Sequence, residues 1–211
     1  MCLNLLLAKL KRKIYPCMDV TDNSSISLLL EDRPVIAELL KGHDDLKRWL
    51  DEQFSGKATE FPVLWDQKEP EDSDVAEHCY PRKNESAKIR VSRNLSGLDQ
   101  LAAVVYELFN IRNHERYNRI RKKACEGKID KQEYILRANL FEYKAMKKCR
   151  GFLKKHQLVF AVADDSDRIY NMIMSVTSFR KFFKEHSNET YFAKIYDERI
   201  APRLKENLRK N

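Results

Sequence analysis

The side chains with the most chemical potential are gathered in Tyr106-Glu107-Leu108-Phe109-Asn110 and, further along, at Glu142. At about 100° per residue on a helix, Tyr106, Asn110, Asn113 and Tyr117 fall on one stripe, beside an apolar face of Leu101, Val105 and Leu108. Glu107 projects on the other side of Asn110. On the next helical segment Ile135, Ala138, Glu142, Ala145, Cys149 and Phe152 recur at spacings of three and four, a core-facing stripe with a carboxylate in its middle. A buried carboxylate is costly unless it is paired or hydrogen-bonded, so Glu142 needs a specific partner or the mouth of a cavity. Asn110, Asn113 and the two tyrosines are suitable donors. Tyr106, Asn110, Asn113, Tyr117 and Glu142 are therefore expected to line a polar binding cleft or to form a structural polar network.

The elements that must position these residues follow from local signals. Residues 3–14 read as a short helix and Ser25–Leu30 as a strand or extended link. Asp32 and Pro34 start a helix that Gly42 stops, and a further helix covers Asp44–Phe54. Phe61–Trp65 reads as a strand, followed by an acidic surface loop over 66–74 that is expected to be mobile. Lys88–Arg93 alternates with period two, predicting a half-buried strand. Ser96, with Asp99 three residues on, caps a long helix that breaks near Asn113 and ends at Gly127; Asp130 with Glu133 starts another that reaches about His156. Leu158–Ala163 reads as a strand. Two helices close the chain, one through Ile169, Ile173, Val176 and Phe183, the other through Ile195 and Leu204 with a bend near Pro202. The expected class is α+β, helix-dominated, with a small sheet packed on a helical core and additional C-terminal helices.

The order of strand, long helix with Glu107 and second helix with an inward Glu142 resembles the core of gluzincin-type zinc metallopeptidases, over roughly residues 87–150. In that family H-E-x-x-H supplies two metal ligands and the general base, and a downstream helical Glu the third ligand. The resemblance implies Glu107 as general base, catalytic only if the chain is active, and Glu142 as the downstream ligand. Tyr106 and Asn110 stand in place of the two histidines. Neutral Asn and un-ionised Tyr cannot replace two imidazoles on zinc. His43, His78, His114, His156 and His186 show no i, i+4 pairing. The expectation is a degenerate zincin-like domain over 1–211, with an N-terminal helical part (1–56), the zincin-like core (57–157) and C-terminal helices (158–211). It would hold no metal and no cofactor, and act by binding or scaffolding toward a protein or anionic ligand. Two other readings stay open: an active metal-dependent peptidase with Glu107 as general base, and a non-specific nucleic-acid-binding protein.

Charge favours an anionic partner. Of 211 residues, 40 are Lys or Arg and 32 Asp or Glu, a net charge of +8. The distribution is uneven: residues 1–81 hold 10 basic and 16 acidic side chains, residues 82–211 hold 30 and 16. The candidate basic surface is Arg119, Arg121, Lys122, Lys123, Lys147, Lys148, Lys154 and Lys155. An antiparallel helix pair would set Arg121–Lys123 apart from Lys147–Lys155, as two patches, so weak, non-specific nucleic-acid binding is the expectation. No zinc finger, RNP pattern or GxxG clamp is present. The five cysteines form no C-x-x-C pair, which points to reduced thiols and a cytoplasmic location. The apolar run Leu3–Leu7 is too short for a membrane span and precedes its charges, unlike a signal peptide.

Three sharper-looking signals resolve to ordinary ones. The stretch Gly127–Glu133 mimics half an EF-hand loop, but its earlier positions, Lys122 and Ala124, cannot bind calcium. His78-Cys79 has no placeable base and reads as an ordinary loop Cys. Asp164, Asp165 and Asp167 precede a helix, where acidic caps are expected.

Overall fold

A computed structural model describes residues 26–57, 62–70, 76–79, 86–156 and 167–210. The predicted helix over 3–14 and strand over 158–163 lie outside the described residues. The architecture is α+β and dominated by helix. Helices α1 (Ile26–Asp32), α2 (Pro34–Leu39) and α3 (Asp44–Phe54) precede strands β1 (Val63–Trp65), β2 (Ala76–Cys79) and β3 (Ala87–Val91). Then come α4 (Gly97–Ile111), α5 (His114–Cys125), α6 (Lys131–Lys155), α7 (Arg168–Ser175), α8 (Phe179–His186), α9 (Glu189–Ile195) and α10 (Ala201–Lys210).

The strands order as β1-β3-β2. β1 runs parallel to β3, with Trp65 opposite Ile89, and β2 runs antiparallel to it, with His78 also opposite Ile89. β3 is more enclosed than a half-buried strand. Ala87, Ile89 and Val91 are fully buried, Lys88 is buried too, and Arg90 is held between Asp66 and Glu77 at 2.6 and 3.0 Å. The same ion pairs correct the expectation of a mobile acidic loop for its described part, 66–70. Asp66 is bound by Arg90, and Glu69 lies 3.5 Å from the buried Arg33 and 3.4 Å from Arg93.

α4 is the axis of the molecule. Every residue from Leu98 to Ile111 is buried, so the helix has no solvent face and the expected single apolar stripe is an underestimate. It packs against α2, α6, α7, β2 and β3. Ser96 caps it by accepting from the Asp99 amide at 3.1 Å. Asp99 does not complete a reciprocal box; its carboxylate accepts from the Tyr170 amide at 2.8 Å and so caps α7 instead. Burial raises the Asp99 pKa, partly offset by these backbone donors.

Three further expectations are corrected. The apolar run after Ile26 forms helix α1, closed by Arg33 N–H donating to the Leu29 carbonyl at 2.8 Å. A short apolar run cannot distinguish strand from buried helix, and three leucines favour the helix. The helix predicted through Ile169 and Phe183 is two helices, because Val176 turns extended and Ser178 caps α8 by accepting from the Lys181 amide. The bend expected near Pro202 is a π-helical turn over Tyr196–Ile200. Pro202 has no N–H for the Glu198 carbonyl, and its ring pushes that carbonyl aside, which widens the preceding turn.

The apolar interior forms two clusters. The larger gathers α1–α4, the sheet, the later half of α6, α7 and Phe182. The smaller comprises Ile120, Ala124, Ile129, Tyr134, Ala138, Phe192, Tyr196 and Ile200. Among the described residues no helix is long and apolar enough to cross a membrane.

Candidate functional site

The polar residues singled out by spacing converge where α4, α5, α6 and β2 meet. Glu142 is fully buried on α6, and both its oxygens accept hydrogen bonds from tyrosines: Tyr106 OH to Oε2 at 2.7 Å and Tyr117 OH to Oε1 at 2.5 Å. Tyr117 also lies 3.3 Å from the Ala138 carbonyl. The chain breaks between α4 and α5 at Arg112 and Asn113, yet Asn113 N–H still donates to the Asn110 carbonyl at 2.8 Å. The next helix therefore starts almost in register, and Tyr117 stays on the Glu142 side.

The two asparagines serve other groups. Asn110 Nδ2 donates to Glu107 Oε2 at 3.4 Å, and Asn113 Nδ2 to the Phe141 carbonyl at 3.4 Å. Glu107 and His78 are both wholly buried, with His78 Nδ1 donating to Glu107 Oε2 from the edge strand β2. Glu107 Oε1 has no hydrogen-bond partner among the described residues. Cys149 lies close enough that burial, reinforced by the field of Glu107, pushes its thiol pKa up; its Sγ faces the Ala102 carbonyl at 3.6 Å. His114, at the start of α5, has its pKa lowered by burial and then by the charge on His78.

The expected cleft is therefore a packed polar layer. Tyr106 is 3% exposed, Asn113 2%, and Asn110, Glu107 and Glu142 are at 0%; only Tyr117 is partly exposed. Nor does the donor set suit zinc. Both Glu142 oxygens are engaged by phenols, Glu107 faces His78, and the described residues hold no group of three His, Cys, Asp or Glu side chains placed to share a metal. Two surface grooves lie elsewhere, one of about 540 Å³ beside Arg121 and Arg203, the other of about 560 Å³ beside His43, Asp45, Lys155 and His156.

Sequence reasoning missed His78. It stands on a strand, not in a loop, and Cys79 beside it is buried. Ala-Glu-His-Cys contains no Val, Ile, Thr, Tyr, Phe or Trp, so pairing with β3 makes it a strand.

Of the basic residues, Arg119, Lys122, Lys123, Lys147, Lys148, Lys154 and Lys155 are exposed and Arg121 is partly so. Lys148 has its pKa lowered by partial burial and then by Arg116, Arg112 and Lys144. The electropositive neighbourhood of Lys147 and Lys148 thus draws on the start of α5, as antiparallel packing of α5 on α6 requires. Arg112 reaches it from the end of α4, where its guanidinium lies over Trp49 at 5.5 Å and donates to Gln53 Oε1. No protein-family model, curated protein or solved structure matches this chain.

Proposed function

We propose that the protein is a non-catalytic binding domain that contacts polyanionic partners through the basic side of α5 and α6, and that its zincin-like carboxylates are structural. The observation carrying this reading is Glu142, whose two oxygens are committed to tyrosine hydroxyls inside the core. A carboxylate used that way, with no exposed surface, is placed to tie helices together and not to meet a substrate. The mutual crowding of Arg112, Arg116, Lys144 and Lys148 supports the second half: like charges held together repel, the negative charge of a polyanion offsets that cost, and the counterions it releases on binding add to the gain. The free thiols of Cys125 and Cys149 fit a reducing, cytoplasm-like compartment.

Two measurements on the full chain test this. Labelled duplex and single-stranded DNA should bind weakly, without sequence preference, and with affinity falling steeply between low and physiological salt. Lys147→Gln/Lys148→Gln should weaken that binding and flatten its salt dependence. Purified protein should carry no stoichiometric zinc and leave casein intact. Chelator-sensitive cleavage would make Glu107 a general base and overturn the proposal.

A further inference from the structure

We propose that the groove between α5 and α10 binds the phosphate group of a small organic phosphate. Asn118, Arg121, Lys122 and Cys125 line it from α5 at spacings of three, one and three, and Arg203 and Asn207 line it from α10. One helix face therefore opposes another across about 540 Å³, within the range of small-molecule sites and far more than a bare phosphate fills. The charge on the walls is lopsided. Two guanidiniums and one ammonium face the groove against the single carboxylate of Glu206.

The two guanidiniums are uncommitted. Neither Arg121 nor Arg203 has an acidic partner among the described residues, although neighbouring cations do: Lys128 pairs with Glu126 at 2.8 Å, Lys131 with Asp197 at 2.6 Å and Arg137 with Glu133 at 2.5 Å. Lys122 is held only at 3.9 Å from Glu126, a carboxylate already taken by Lys128. Arg199, one turn before Arg203, adds to the field; it and Arg121 both act on the buried Tyr134. Planar guanidinium forks match phosphate oxygens in a bidentate manner, which lysines cannot do.

The separation of the two walls is fixed by the protein. Asn207 Nδ2 donates to the Cys125 carbonyl at 3.0 Å, and Leu204 lies over Gly127, whose φ of +71° turns the chain out of α5. A ligand would thus meet a preformed site, with little ordering cost at the backbone. The inference extends the anionic-partner reading above, but it depends on Arg203, which that reading does not use.

The test uses ribose 5-phosphate and ribose as soluble probes, and phosphatidylcholine vesicles with and without phosphatidic acid. The full chain should bind ribose 5-phosphate at physiological ionic strength and not ribose. Arg121→Gln/Arg203→Gln should weaken binding by about tenfold or more with an unchanged melting temperature, and the exposed Arg203→Gln alone by a smaller factor. Lys147→Gln/Lys148→Gln should leave ribose 5-phosphate binding intact while weakening DNA binding, so the two readings fail separately. Equal binding of ribose, full retention by the double arginine variant, or binding confined to phosphatidic-acid vesicles would each overturn the proposal.

Discussion

Replacing Tyr106 by Phe removes one hydroxyl and nothing else from the buried layer. That hydroxyl donates at 2.7 Å to a fully buried carboxylate and is itself 3% exposed, so water cannot replace it. Hydrogen bonds to charged groups contribute about 1.5–3 kcal/mol, and complete burial puts this one near the top of the range, about 2–3 kcal/mol. Tyr117→Phe should cost less, about 1 kcal/mol, because Tyr117 is partly exposed and solvent can reach the oxygen it vacates. Glu142→Ala takes the acceptor from the buried Tyr106 hydroxyl, leaves Tyr117 the Ala138 carbonyl at 3.3 Å, and opens a hole where the carboxylate was, so about 3–5 kcal/mol is expected. Urea unfolding followed by circular dichroism gives all three values, provided the slope m is unchanged. A double-mutant cycle of Tyr106→Phe with Glu142→Gln isolates the pair. A loss below about 0.5 kcal/mol for Tyr106→Phe, or a larger loss for Tyr117→Phe, would refute the claim that Glu142 is a structural carboxylate.

Two further perturbations probe the packing. His114, His156 and His186 all have pKa values below 6.5, burial being the main cause. Between those folded values and 6.5 the unfolded chain binds more protons, so stability is full above 6.5 and declines as pH falls below it. The urea midpoint should drop between about pH 7.5 and 5.5, and His186→Gln should remove part of the drop; an identical profile in the variant would discount His186. Gly97→Ala places a Cβ against Val35 Cγ2, overlapping the start of α4 with α2. It should cost about 1–2 kcal/mol, and Val35→Ala in the same chain should recover most of it; no recovery would mean that another contact is responsible.

The sequence was most legible where the physics is local. Ser96, Asp130, Gly42 and Gly127 marked helix ends through capping and positive φ, and the structure keeps all four. Glu142 announced its need for a partner because an apolar stripe on one helix implies burial whatever the rest of the chain does. The choice of partner was narrowed to four side chains and fell to the two tyrosines, since the asparagines are drawn to Glu107 and the Phe141 carbonyl. What stayed hidden was tertiary. The burial of Glu107 depends on β2, a strand that exists only because β3 pairs with it, so neither His78 nor its contact had a local signature. The split at Val176–Ser178 has no Gly or Pro to announce it, and the acidic loop looked loose because its cations, Arg33, Arg90 and Arg93, are distant in sequence.

Helix α6 spans 25 residues, about 37 Å at 1.5 Å per residue, and passes through both apolar clusters. Ala138 belongs to the smaller cluster and Ala145 to the larger, with Glu142 one turn from each. Its two hydroxyl partners are divided in the same way, Tyr106 from the larger cluster and Tyr117 from the border of the smaller. The carboxylate is therefore a rivet between two bodies that share a rod. Fraying of α9 and α10 alone leaves the rivet in place, but any opening that carries α5 away breaks its hydrogen bond to Tyr117. Amide exchange should register this as an abrupt rise in protection between the C-terminal helices and α5, with α5 exchanging alongside α4 and not alongside α9, with which it shares the smaller apolar cluster.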